Sequence, residues 1–153
     1  MLELYEPGSE AAWLRSFRFA LEVRPRFAET DALGHVSNTV YATYWELARL
    51  RYLEAIGEAD DAPKRILAFN HMAVEITTRM MRPCYYDEVL LIRARIAALG
   101  RSSMTMEYAL SAPETEDVRA IARIVVVATN GDGAIPWTPG QRAKLEAFEG
   151  RTL

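Results

Sequence analysis

The chain has 153 residues, half of them hydrophobic, and its 18 basic and 21 acidic side chains give a formal net charge of -3. This length predicts a single domain over residues 1–153, and the lack of a basic excess argues against a nucleic-acid partner. No apolar run reaches the roughly 18 residues of a membrane span, and the N-terminus lacks the basic and apolar regions of a secretion signal. With two histidines and the single cysteine Cys84, neither an internal disulfide nor a His/Cys zinc site is expected, and a reducing, cytoplasmic setting is predicted.

The first clear pattern is an alternating strand that starts at Phe17. Charged side chains fall on one face, and the other face carries the apolar set Phe17, Phe19, Leu21, Val23 and Phe27. Pro25 falls in the apolar register and indicates an edge position or an irregularity in the strand. Residues 1–16 show only weak periodicity, so no element is predicted there.

A long helix is predicted near residues 38–56. Its apolar side chains recur at spacings of three and four and leave little polar face, so we expect it to be the most buried element. The candidates for its N-cap are Ser37, Asn38 and Thr39, and Gly57 is a suitable terminator. The acidic segment from Glu58 to Lys64 is predicted to be a loop.

Four further strands are predicted at 66–82, 88–98, 103–111 and 118–129, followed by a short helix from Gln141 to Phe148. In the first of these strands, Met72, Val74, Ile76 and Met80 are expected to share one face. Short connections favour antiparallel pairing. The order of strand, long helix and four strands therefore predicts an α+β fold, in which a curved antiparallel sheet of five or six strands wraps around one central helix.

The segment between the first strand and the long helix carries the most specific motif. It reads DxxGHVxNxxY from Asp31 to Tyr41, and ExxR follows from Glu46 to Arg49. This pattern resembles the signature of the 4-hydroxybenzoyl-CoA thioesterase branch of the hot dog fold. The resemblance implies an acyl-CoA thioesterase that needs no metal or redox cofactor, because coenzyme A is part of its substrate.

The resemblance assigns the catalytic carboxylate to Asp31, either as nucleophile on the thioester carbonyl or as general base for water. The alternative is an Asx-turn residue that only shapes the loop. A helix N-terminus also offers unpaired N–H groups to an oxyanion, and Asn38 is the first candidate donor, with Ser37 or Thr39 as alternatives. His35 matches the family histidine and either orients the substrate or holds the loop.

The other candidates concern the pocket and the carrier. Residues predicted to contact substrate are Gly34, Val36, Ser37, Thr39, Tyr41 and Trp45. Glu46 is a second candidate carboxylate, because related branches place one on this helix, although an ion pair with Arg49 is the simpler reading. Arg101 matches a basic position that contacts the nucleotide in the resembling family. Arg82 and Arg123 are weaker candidates, and Cys84 and His71 are expected to have no catalytic role.

Hot dog subunits usually pair with the active site at their interface, so a homodimer or homotetramer is expected. The strongly apolar 118–129 segment is typical of a strand in the interior of a sheet. Because an exposed apolar strand edge is a hazard unless it is paired, we predict a two-fold dimer with the Asp31 loop near the interface. Three alternatives stay open. An acyl-ACP thioesterase has a similar His-Val-Asn-Asn stretch, from which Ser37 departs. An enoyl hydratase on this fold spaces its acid and histidine five apart rather than four. The third alternative is a non-catalytic acyl-thioester-binding protein.

Overall fold

The computed structural model describes residues 9–57, 71–113, 115 and 117–153. Three helices are present in this part of the chain: α1 Glu10–Arg15, α2 Val40–Ala55 and α3 Pro139–Glu149. The strands are β1 Phe19–Val23, β2 His71–Met80, β3 Leu90–Leu99, β4 Ser103–Ser111 and β5 Val118–Ala128. The predicted loop at 58–64 and the first residues of the predicted 66–82 strand lie outside the described residues.

The five described strands form one antiparallel sheet in the order β1-β3-β4-β5-β2, and α2 packs on one of its faces. Alternate side chains of β3 and β4 point to that face and are fully buried: Leu90, Ile92, Ala94, Ile96, Met104, Met106, Tyr108 and Leu110. They form one core with Trp45, Ala48, Tyr52 and Leu53 of α2. The predicted α+β arrangement of a sheet around one central helix is confirmed.

Within the single chain, α2 is not the most buried element, contrary to the expectation from its composition. Ala42, Thr43 and Glu46 on one side of the helix are exposed, whereas β4 and β5 are more completely covered. The helix packs mainly along β1 and β3, so the side that faces β2 stays open. The apolar residues therefore predicted the helix correctly, but they did not predict how much of it one chain covers.

Strand β2 corrects the prediction that its apolar side chains share one face. A bulge between Ala73 and Glu75 reverses the alternation, so Met72 pairs with Val127 on the outer face and Ile76 pairs with Ile124 on the face that holds α2. The apolar residues of β2 therefore do not share one face. Strand β5 lies inside the sheet between β4 and β2, which confirms the interior position predicted for residues 118–129. Among the described strands, the edge that exposes apolar side chains is β2.

The N-terminal part of the chain also differs from the prediction. Strand β1 ends at Val23, and a 3-10 turn over Phe27–Glu29 follows, so Phe27 is 76% exposed instead of lying in the core. Pro25 has no N–H for a strand ladder, which accounts for the early end. The unpredicted helix α1 packs with Phe17 in a second cluster against Ala109 and Ile121 of the sheet.

Helix α3 fixes the C-terminal segment to the core. Thr138 caps it by accepting a hydrogen bond from the Gln141 N–H, and Pro139 occupies its first turn. At its other end the buried Glu149 accepts hydrogen bonds from the Tyr52 hydroxyl at 2.5 Å and from the Ile96 N–H at 2.7 Å. One carboxylate thus joins α3, α2 and β3.

Candidate active site

The loop that leads into α2 is closed by its own backbone. The Asp31 N–H donates to the His35 carbonyl at 2.8 Å, and the Gly34 N–H donates to the Asp31 carbonyl at 3.0 Å. Gly34 has a φ of +77°, a left-handed conformation that a side chain would disfavour. The Val36 N–H donates to the Cys84 carbonyl at 2.9 Å and ties the loop to the segment after β2.

Asp31 lies in this loop, and its side chain is exposed in the single chain. Its Oδ1 accepts a hydrogen bond from the Leu33 N–H at 2.8 Å, which is an Asx turn. Within the described residues, Oδ2 accepts no hydrogen bond, so one carboxylate oxygen is available for chemistry. The turn-forming and the catalytic interpretations of Asp31 are therefore compatible.

The N-terminus of α2 presents unpaired amide groups beside the loop. Thr39 is the N-cap residue but makes no side-chain capping bond. The N–H groups of Ser37 and Val40 are already engaged, by the carbonyls of Glu29 and Ser37 respectively. In the described part of the chain, the N–H groups of Asn38 and Thr39 have no acceptor, so these two are the candidate oxyanion donors.

One cavity of about 480 Å³ brings these groups together. From the loop and α2 it is lined by Asp31, His35, Val36, Asn38 and Tyr41, and from the segment at the end of β2 by Met80, Met81, Arg82 and Pro83. Of the second group, only Arg82 was predicted, as a weaker candidate for contacting the nucleotide, and Met80, Met81 and Pro83 were not predicted at the site. The His35 ring packs edge-on against Tyr85 with centroids 5.3 Å apart, a contact that suits a loop-holding residue.

Burial raises the pKa of two groups at or beside this cavity. Burial and a hydrogen bond with Cys84 raise the pKa of Tyr41 above its usual range. Burial likewise raises the pKa of the Cys84 thiol, which disfavours the thiolate that a nucleophile would require. Arg82 is engaged by Asp117 Oδ1 at 2.8 Å and by the Val118 carbonyl at 2.9 Å.

Two predicted site residues on α2 lie elsewhere. Trp45 is fully buried, and its indole N–H donates to Thr78 Oγ1 at 3.1 Å. Glu46 lines a second cleft of about 170 Å³ between α2 and β2, with its side chain 64% exposed and its Oε1 3.4 Å from Arg49 Nη2. The ion pair predicted as the simpler reading of Glu46 and Arg49 is present.

Arg101 lies at the opposite end of the sheet from Asp31. It is exposed in the turn between β3 and β4, whereas the Asp31 loop adjoins the start of β3 through the bridge between His35 and Tyr85. Because β3 has 10 residues, the two ends are roughly 30 Å apart. A single chain therefore does not bring Arg101 to the Asp31 cavity, and Arg123 lies within β5 and not at the cavity.

Residues 25–145 match the family model of the thioesterase-like superfamily. The chain belongs to this superfamily. It is 30% identical in sequence to a protein of known structure from Thermus thermophilus, with a TM-score of 0.79. The match covers 90% of this chain and 98% of the Thermus chain. That structure is described as a thioesterase complexed with coenzyme A and Zn. A thioesterase superfamily protein from Jannaschia sp. CCS1 is 27% identical over 92% of both chains, with a TM-score of 0.77.

A curated relative gives similar coverage. The chain is 28% identical over 134 residues to the uncharacterized protein YsmA of Bacillus subtilis. The aligned region covers 87% of this chain and 88% of YsmA. Superfamily membership agrees with the hot dog fold and supports thioester hydrolysis as the class of reaction. The narrower 4-hydroxybenzoyl-CoA branch stays a prediction.

Two further observations concern the superfamily member described here. Among its described residues, no group of three or more His, Cys, Asp or Glu side chains is placed to hold a metal ion. None of the helices in the described ranges is both long enough and apolar enough to cross a membrane.

Proposed function

We propose that this protein is an acyl-CoA thioesterase that hydrolyses a thioester to a carboxylate and free coenzyme A. The observation that carries the proposal is the shared cavity. A carboxylate with a free oxygen, on Asp31, and an unpaired helix N-terminal N–H, on Asn38, line the same 480 Å³ space. A thioester carbonyl between them would meet an attacking or base group on one side and a hydrogen-bond donor on the other.

Two routes use the same residues. In the first, Asp31 attacks the carbonyl carbon, coenzyme A leaves as the thiolate, and water then hydrolyses the resulting anhydride. In the second, Asp31 takes a proton from water as the water attacks, and the thiolate leaves from the tetrahedral intermediate. In both routes the Asn38 N–H, with the Thr39 N–H beside it, stabilises the oxyanion.

The acyl group would lie against the apolar part of the cavity wall. Tyr41, Met80 and Met81 supply that wall, and methionine side chains adapt to several acyl shapes. Gly34 keeps the loop turn free of a side chain where the thioester approaches. His35, held against Tyr85, is assigned to loop geometry and not to proton transfer.

The proposal includes a two-fold dimer formed through β2. This edge strand exposes Ile76 and Met80 on the face that holds α2 and Met72 and Val74 beyond the bulge, an apolar edge that a second copy would cover. Antiparallel pairing of two β2 strands would bring the β3–β4 turn of the second copy to the end of the sheet that carries Asp31. Arg101 would then serve the site across the interface, and the exposed Asp31 would be shielded from water.

The cellular setting belongs to the same proposal. Cys84, the single cysteine of the sequence, is a buried free thiol. We place the protein in a reducing, cytoplasmic compartment, where such a thiol persists.

A thiol-release assay tests the proposal. Purified protein is incubated with acyl-CoAs of increasing chain length, with aryl-CoAs, and with the same acyl groups on acyl carrier protein. Hydrolysis that is faster with coenzyme A supports the proposal, and hydrolysis confined to acyl carrier protein replaces it with the acyl-ACP alternative. Tight acyl-CoA binding without thiol release would instead indicate a non-catalytic binding protein.

A further inference from the structure

The Asp31 loop is joined to α2 by a buried carboxylate that the reaction itself does not use. Glu29, only 9% exposed, accepts hydrogen bonds at Oε2 from the Tyr44 hydroxyl at 2.9 Å and the Arg26 N–H at 2.8 Å. Its Oε1 accepts from Arg26 Nε at 3.0 Å and Nη2 at 2.7 Å. Tyr44 lies one turn into α2 and is itself buried.

The backbone of the same residue holds the other arm of the loop. The Glu29 carbonyl accepts the Ser37 N–H at 2.8 Å, and the neighbouring Thr30 pairs with Val36. Asp31 follows Glu29 by two residues, and Asn38 follows Ser37 directly. Glu29 is thus bonded to both arms of the loop that carries Asp31 and Asn38.

We propose that Glu29 and Tyr44 are positioning residues for the reaction, an inference that rests on the function proposed above. Their hydrogen bond fixes the Asp31 loop against the N-terminus of α2, so that the carboxylate and the Asn38 amide face the same carbonyl. A shift of about 1 Å between reacting groups can lower turnover by about 10²-fold. Loss of a single hydrogen bond that fixes these groups is therefore expected to lower kcat.

The chain contains a matched control for this bond. Tyr52 lies eight residues further along the same helix, roughly 12 Å away, and donates to the buried carboxylate of Glu149 at 2.5 Å. Both tyrosines are buried and both donate to a buried glutamate, but the Tyr52 pair anchors α3 and lies away from the cavity. A purely structural role predicts equal consequences from loss of either hydroxyl.

The first experiment compares Tyr44→Phe with Tyr52→Phe, which remove one hydroxyl each and leave the ring in place. Both variants should lower the denaturant midpoint. Only Tyr44→Phe should lower kcat, by about 10-fold with KM within about 2-fold, while Tyr52→Phe keeps both constants within about 2-fold of wild type. A wild-type kcat in Tyr44→Phe, or an equal loss of kcat in both variants, would overturn the proposal.

Two variants at position 29 test the carboxylate side of the bond. Glu29→Gln keeps an oxygen that can accept the Tyr44 hydroxyl, whereas Glu29→Met has a similar length and accepts nothing of comparable strength. The kcat of the glutamine variant should be several-fold higher than the kcat of the methionine variant. If both lose kcat equally, the hydrogen bond to Tyr44 is not what positions the loop.

Amide hydrogen exchange separates this proposal from the proposed function, since it needs no substrate. The N–H groups of Asp31 and Ser37 should exchange faster in Tyr44→Phe and at the wild-type rate in Tyr52→Phe. Unchanged exchange at both amides in Tyr44→Phe refutes the positioning role. Faster exchange in a protein that hydrolyses no acyl-CoA keeps the loop-fixing role and refutes only the thioesterase assignment.

Discussion

Replacement of Asp31 by asparagine separates the turn-forming role of this residue from the catalytic role proposed for it. In the structure, Asp31 Oδ1 accepts the Leu33 N–H at 2.8 Å, and asparagine carries an Oδ1 that can do the same. The side chain is exposed and forms no ion pair among the described residues. The free energy of unfolding of Asp31→Asn should therefore lie within about 0.5 kcal/mol of wild type.

The kinetic consequence should be large, because a side-chain amide is a poor base and a poor nucleophile. We expect kcat to fall by about 10²–10⁴-fold, the usual loss on removing a positioned acid–base group. This corresponds to about 2.7–5.5 kcal/mol in the activation free energy. The KM for acyl-CoA should change little, since the proposed carrier contact at Arg101 lies away from this side chain.

The assay is free-thiol release at saturating acyl-CoA, with a urea titration of the same preparation to show that the variant is folded. Glu46→Gln is the control carboxylate, since Glu46 lies in the second cleft and is 64% exposed. Its kcat should stay within about 3-fold of wild type. Near-normal turnover in Asp31→Asn, together with a folded but inactive Glu46→Gln, would move the catalytic assignment to α2.

Three further predictions concern stability and assembly. Glu149→Ala should lower the free energy of unfolding in urea by about 3 kcal/mol, because the Tyr52 hydroxyl and the Ile96 N–H lose their buried acceptor. Ile76→Lys should yield a folded monomer in sedimentation if β2 forms the dimer, and an unchanged dimer would place the interface elsewhere. Burial raises the pKa of Glu29, but hydrogen bonds from Arg26 and Tyr44 outweigh it, so its pKa is lowered overall. The carboxylate therefore stabilises the fold above the unfolded value of about 4.3, and this contribution is lost as the pH falls through the folded pKa. In thermal scans between about pH 5 and pH 3, the Tm of Glu29→Gln should fall less steeply with decreasing pH than the Tm of wild type. An equal fall of Tm in the two proteins would contradict the lowered pKa of Glu29.

Local patterns in the sequence determined the elements that face a single environment. The alternation from Leu90 to Ile96 and from Met104 to Leu110 predicted strands whose inward side chains are all fully buried. The long helix was also recognisable, since its apolar side chains recur at spacings of three and four, and the short helix predicted from Gln141 to Phe148 is present as α3. The Asx turn at Asp31 was predicted as one of two interpretations and is present.

Tertiary structure alone decided which residues meet and which edges stay open. The bulge in β2 moves Ile76 to the face opposite Met72, and this register depends on pairing with β5, more than 40 residues away in the chain. Met80 and Met81 reach the Asp31 cavity, and Glu29 reaches Tyr44, only after the chain folds back on itself. Such contacts depend on the three-dimensional path of the chain, which side-chain periodicity does not encode. The sequence by itself therefore determined the long helix, the strands and the turn at Asp31, while folding determined the cavity, the second cleft around Glu46 and the exposed edge of the sheet.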